Sequence, residues 1–147
     1  MFKEILLEVF ERDLSKLKEE INLYKKEEHI WKIDKEIKNS AGNICLHVIG
    51  NLNYFIGSVL GNSGYVRDRE SEFILKDISR EKLISSIDEV SQVVKTTLSQ
   101  LSSSDFEKTF PVKKQDRVVT TEYMLFHLAT HLNYHLGQIN YHRRFIS

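Results

Sequence analysis

Proline, cysteine and charge imbalance are what this chain is short of. One proline, Pro111, occurs in 147 residues, so no proline-rich linker or polyproline segment is present. One cysteine, Cys45, excludes an internal disulfide and fits a reducing compartment, so a cytoplasmic location is expected. Lys+Arg and Asp+Glu stand at 21 each, without a basic stripe, which argues against nucleic acid or an anionic membrane as a partner. No uninterrupted run of about 18 apolar residues is found, so no transmembrane helix is expected. The opening residues, MFKEILLEVFERDL, carry charge inside their apolar stretch and lack a signal-peptide h-region. What is there is 41% apolar and 29% charged residues, ordinary for a folded protein, in a chain long enough for one domain over 1–147 with one substantial core.

Apolar residues recur at helical intervals in four segments. The first runs from about Phe2 to Tyr24, with Phe2, Leu6, Val9, Phe10, Leu14, Leu17, Ile21 and Tyr24 at three- to four-residue spacing and charges between them. The second follows the cap signals Asn39 and Ser40 and spans about Ala41 to Leu60. It is the most apolar segment, and Gly50 and Gly57 within it cost helix propensity while allowing close approach by a neighbour or ligand. Ser79 caps the third, which reads Leu83, Ile87, Val90, Val94, Leu98 and Leu101. Thr120 or Thr121 caps the fourth, which ends near Arg144, where Arg143 and Arg144 suit the negative end of the helix dipole. Alternation in Thr109–Val112 and Arg117–Val119 hints at a short extended hairpin between the last two helices. The fold class that follows is all-α, a four-helix bundle with up-and-down or crossover connections.

Histidine is the residue whose pattern points to chemistry. His127, His131 and His135 stand four apart in EYMLFHLATHLNYHLGQINYHRR, and neighbours at that spacing lie on one side of a helix, about 6 Å apart along its axis. Two such imidazoles can grip one metal ion. All three cannot, because His127 and His135 are about 12 Å apart along the axis and about 80° apart around it. One adjacent pair would therefore need a third ligand from another helix, and His47 in NICLHVIGNLNYF is the histidine on the other strongly apolar helix. Three histidines leave an open coordination position, as in catalytic rather than structural zinc-type sites. Imidazoles that merely hydrogen-bond inside a core are the competing reading of the same pattern. His142, near the end of the last helix, is read as a non-ligand whose protonated form the dipole favours. Cys45, two residues before His47, points to another side of the helix and reads as small buried filler. Gln138 and Asn51 are candidates for contacts behind the ligands or for ordinary interhelical hydrogen bonds.

The run Arg67-Asp68-Arg69-Glu70-Ser71-Glu72-Phe73 reads as a solvated loop, or else as a rim that pairs arginine with a carboxylate and binds an anionic group. It begins some four turns past His47 and must reach back roughly 20 Å to come near an ion there, which argues against a direct role at the metal.

THLNYHLGQINY resembles the His-x-x-x-His-x-Gly-Gln-Ile signature on the last helix of the DinB-like superfamily, and NSAGNICLHVIGNLNYF is similar to that superfamily's second-helix element. GNSGYVRDRESEF resembles the Gly…Trp-x-x-Arg-Asp-x-Glu-Phe loop of a branch known only as a domain of unknown function, with Tyr65 in the region of the tryptophan and Glu70 where aspartate is common. The correspondence covers nearly the whole chain. It implies a divalent-metal triad of His47, His131 and His135, with His127 outside. It also implies a bacterial, commonly dimeric protein whose characterised relatives include bacillithiol- or mycothiol-dependent transferases and a mycothiol-dependent isomerase.

Two functional readings follow. In the first, zinc or nickel on the triad activates a low-molecular-weight thiol, in a thiol S-transferase or related hydrolase acting on a small-molecule substrate. Arg67 or Arg69 would hold the thiol's carboxylates, and a homodimer is expected. In the second, the protein is a non-catalytic metal-binding or stress-associated bundle.

Overall fold

A computed structural model describes residues 1–146. The amphipathic stripe that opens the chain forms α1 (Phe2–Leu23) and buries Leu6, Phe10, Leu14, Leu17 and Ile21. Tyr24 falls just outside the helix, with an extended backbone and a buried ring. A 3-10 turn at Glu27–Trp31 follows and seats the single tryptophan, whose Nε1 donates to the Ile78 carbonyl at 3.2 Å. A Cβ on Gly42 would come within 2.6 Å of that indole, so the missing side chain is what lets the ring lie against α2.

α2 (Ala41–Leu52) is capped by Ser40, whose Oγ accepts from the Asn43 N–H at 3.1 Å. Every α2 residue except Leu46 is buried. The one helix expected over 41–60 changes winding at Asn53 and continues as a π-helix to Leu60. The wider turn holds more residues, so side chains beyond Leu52 leave the register that α2 sets. By length and composition Ala41–Leu60 is apolar enough to cross a membrane, which the absence of an unbroken apolar run did not anticipate. Of its most apolar window, 61% is buried inside the protein, the pattern of a core helix.

The charged run forms a short helix, α3 (Arg69–Ile74), capped by Asp68, which accepts from the Ser71 N–H at 3.2 Å. Ser79 caps α4 (Arg80–Ser99) by accepting from the Lys82 N–H at 3.2 Å, and Leu83, Ile87, Val90, Val94 and Leu98 turn inward. Leu101 lies past the helix end. Between α4 and α5 (Thr121–Ile146) the expected hairpin is reduced to two isolated bridges, Thr109 with Thr120 and Lys114 with Arg117. Gln115 and Asp116 at its tip have φ of 48° and 63°, the geometry of a two-residue primed turn.

α1 packs against α4 and α5, α2 contacts the same two helices, and α3 rests on α2. The protein is thus all-α, with five α-helices and no strand among the described residues.

Candidate metal centre

α5 carries its histidines one turn apart, and α2 packs against it. Three imidazoles meet at that contact. His47 Nε2 lies 3.2 Å from His131 Nε2, which lies 3.1 Å from His135 Nε2. One ligand atom from each falls within 4.8 Å of the others, so the three could hold a metal ion. Nitrogens bound at 2.0–2.1 Å to a tetrahedral ion stand roughly 3.3 Å apart, close to these separations. His127 lies outside the group, its ring centroid 6.2 Å from that of His131.

The outer ring nitrogens determine which way the lone pairs face. His47 Nδ1 is 3.1 Å from Glu72 Oε1 and 3.3 Å from Arg67 Nη2, and that Nη2 already donates to the same carboxylate oxygen. The shorter contact is to a group that only accepts, so Nδ1 carries the proton and Nε2 offers its lone pair inward. His135 Nδ1 likewise donates to Gln138 Oε1 at 2.7 Å. His131 has no such partner, and its Nδ1 is buried without a hydrogen bond. A proton on His131 Nε2 can satisfy only one of the two lone pairs that face it, and a proton on Nδ1 satisfies neither. A cation at the centre satisfies all three nitrogens, so the donor set fits a divalent metal.

Burial lowers the His131 pKa to about 3, helped by the neighbouring His135, His47 and His127. Burial also lowers that of His135, against the opposing pull of Gln138. Both are therefore neutral near pH 7, the state a metal requires.

Glu72 had no assigned role in the sequence, yet it is the carboxylate on which the site leans. It is 6% exposed and accepts two bonds from Arg67, Nε to Oε2 at 2.9 Å and Nη2 to Oε1 at 3.0 Å. Burial pushes its carboxyl up, but the hydrogen bonds from His47 and Arg67 prevail and hold it below the usual range. The chain reaches this point through an irregular segment, residues 62–68. Six or seven extended residues span roughly 20 Å, so the distance that argued against a role near the ion is covered. Asn43 anchors the returning chain by donating to the carbonyls of Glu72 at 2.9 Å and Leu75 at 2.7 Å. The available signal for Glu72 was Gly50, three residues after His47 on α2, where a Cβ would overlap the Glu72 carboxylate.

The remaining candidates separate clearly. Arg67 is committed to Glu72, whereas Arg69 lines a cavity of about 620 Å3 together with His47 and His135. Asn51 is buried with its Oδ1 unpartnered. Cys45 is fully buried, which pushes its thiol up to about 12 and leaves it inert as a nucleophile.

His142 corrects an expectation. A dipole-stabilised imidazolium was anticipated, but the ring is 3% exposed. Its Nε2 donates to the Lys32 carbonyl at 2.8 Å and its Nδ1 accepts from the Tyr24 hydroxyl at 2.6 Å. Burial lowers its pKa despite the Lys32 carbonyl, so the ring is a neutral structural link between α5 and the chain after α1.

Compared with known proteins, the chain matches no curated protein. It does match, over residues 4–147, the family described as "Protein of unknown function (DUF1572)".

Proposed function

The chain belongs to the DUF1572 family, whose function is unknown, and from that premise we propose that it is a DinB-like four-helix bundle holding one divalent metal, zinc or nickel, and using it in thiol S-transfer or a related hydrolysis. The observation that carries this reading is the convergence of three Nε2 atoms, two of whose rings are turned inward by Glu72 and Gln138. A divalent ion on three neutral imidazoles keeps its full charge and an open position, which lowers the pKa of a bound water or thiol.

The protein's own residues do the rest. Glu72 and Arg67 hold His47 in the ligating tautomer, and Gln138 does the same for His135. His131 joins the two helices at the centre of the group. Ile44 and Phe73 line the neighbouring cavity with apolar surface. Cys45, buried and protonated, supplies no thiolate, so a reacting thiol has to come from a small molecule.

Elemental analysis of protein purified without a His tag tests the metal, with His131→Ala as control. One divalent ion per chain in the wild type and none in the variant is the expected result. A metal-free wild type that takes up no zinc or nickel on dialysis overturns the reading. Turnover of a low-molecular-weight thiol with an electrophile then separates an enzyme from a metal-binding bundle without turnover.

A further inference from the structure

We propose that the cavity beside the histidine cluster takes a singly charged carboxylate carried on an apolar or aromatic body, held by Arg69 and Lys38. This names the substrate class of the proposed site and rests on that reading for its chemistry, though not for its binding. The cavity, at about 620 Å3, is roughly twenty times the volume of a water molecule in the liquid, far more than an ion and its waters need. It falls within the size range of small-molecule sites.

The lining divides by chemistry. Ile44 and Phe73 contribute apolar surface, and Tyr141 and Phe145 stand at the rim 72% and 67% exposed. Large aromatics left open beside a cavity that buried Ile44 and half-buried Phe73 also line suit a flat or branched hydrocarbon body. Arg69 and Lys38 line the same cavity, are exposed, and form no ion pair among the described residues. The contrast with Arg67 is instructive, since two residues away the same side-chain type is fully occupied by Glu72. Arg69 keeps its planar fork for an incoming carboxylate, which it can bind through two parallel N–H donors. Glu36 lines the cavity as well. Two cations against one carboxylate leave one net positive charge, which matches a monoanion better than a dianion and disfavours a cation. His47, His135 and Gln138 border the same space, so a molecule anchored at the rim lies beside the cluster.

Titration calorimetry with 4-phenylbutyrate, 4-phenylbutanol, 4-phenylbutylamine and 4-phenylbutyl phosphate tests this, using protein as purified and after chelator treatment. The carboxylate is expected to bind at least tenfold more tightly than the alcohol, and the amine not at all. Arg69→Gln should weaken the carboxylate roughly tenfold, in line with loss of a hydrogen bond to a charged group, with the alcohol unaffected. Phe73→Ala should weaken acid and alcohol alike. The effect of Arg69→Gln should persist in chelator-treated protein, so a failed metal analysis and a failed carboxylate site are read separately. Equal binding of acid and alcohol, no effect of Arg69→Gln, tighter binding of the phosphate, or no binding of the carboxylate each overturns the proposal.

Discussion

Glu72 occupies the space that a side chain on Gly50 would need. The glycine lies in the middle of a helix, where it costs about 1 kcal/mol relative to alanine, and that cost is what admits a buried carboxylate to the back of His47. Gly50→Ala should therefore behave opposite to its helix propensity. Displacing one member of a buried pair costs about 3–5 kcal/mol, so a net loss of about 2 kcal/mol or more is expected in urea unfolding. Metal affinity should fall about 10- to 100-fold, as when a group behind a ligand is lost. A stabilised variant with unchanged metal affinity would refute the arrangement.

Glu72→Gln keeps the shape and an acceptor oxygen but removes the charge that Arg67 needs. Arg67 is only 12% exposed in its side chain, so an unpaired guanidinium should cost about 3 kcal/mol or more. Adding Arg67→Met should restore much of that stability and leave metal affinity near that of the wild type, because the amide oxygen can still accept from His47 Nδ1 as Gln138 does for His135. Glu72→Leu with Arg67→Met removes that acceptor and should lower metal affinity about 10- to 100-fold; wild-type affinity there would mean that Glu72 does not act on His47.

His135→Ala should abolish metal binding and His127→Ala should leave the stoichiometry unchanged, because only the former ring reaches His131 Nε2. Metal retained by His135→Ala and lost by His127→Ala would mean that the other pair on α5 is the ligand pair.

Acid should destabilise the metal-free protein through His142. Its pKa is lowered from 6.5 in the folded state, so below that value the unfolded chain binds a proton that the folded chain excludes. Stability is complete above 6.5 and declines as the pH falls, by up to about 1.4 kcal/mol per pH unit for each such histidine, until the folded-state pKa is reached. His131, lowered to about 3, carries the decline further into acid. Urea midpoints measured from about pH 7 to 5 should show a shallower slope for His142→Gln. An unaltered slope would mean that the ring has the same pKa in the folded and the unfolded chain.

Cys45 should resist iodoacetamide in the native protein and react once unfolded, given a buried thiol pushed up to about 12. Stoichiometric labelling of folded protein, or loss of metal in Cys45→Ala, would contradict its role as filler.

The long helices, their caps at Ser40 and Ser79 and their inward stripes were readable from the sequence, because each depends on residues within one or two turns. The same local period put His131 and His135 on one side of α5. The switch to π-winding at Asn53 left no mark in the apolar pattern, since α and π turns bury the same residue types. Other features depended on contacts between segments far apart in the chain. Whether His127 or His135 pairs with His131 depends on the level at which α2 crosses α5. The place of Glu72 depends on the path of residues 62–68, which no periodicity encodes. His142 looked like a helix-end cation until Tyr24 and Lys32, more than a hundred residues earlier, closed around it. Sequence alone determined which residue types were available and which face of its helix each occupied. Which of them met was decided by packing, because a side chain's partners and burial depend on segments that approach it only in the folded chain.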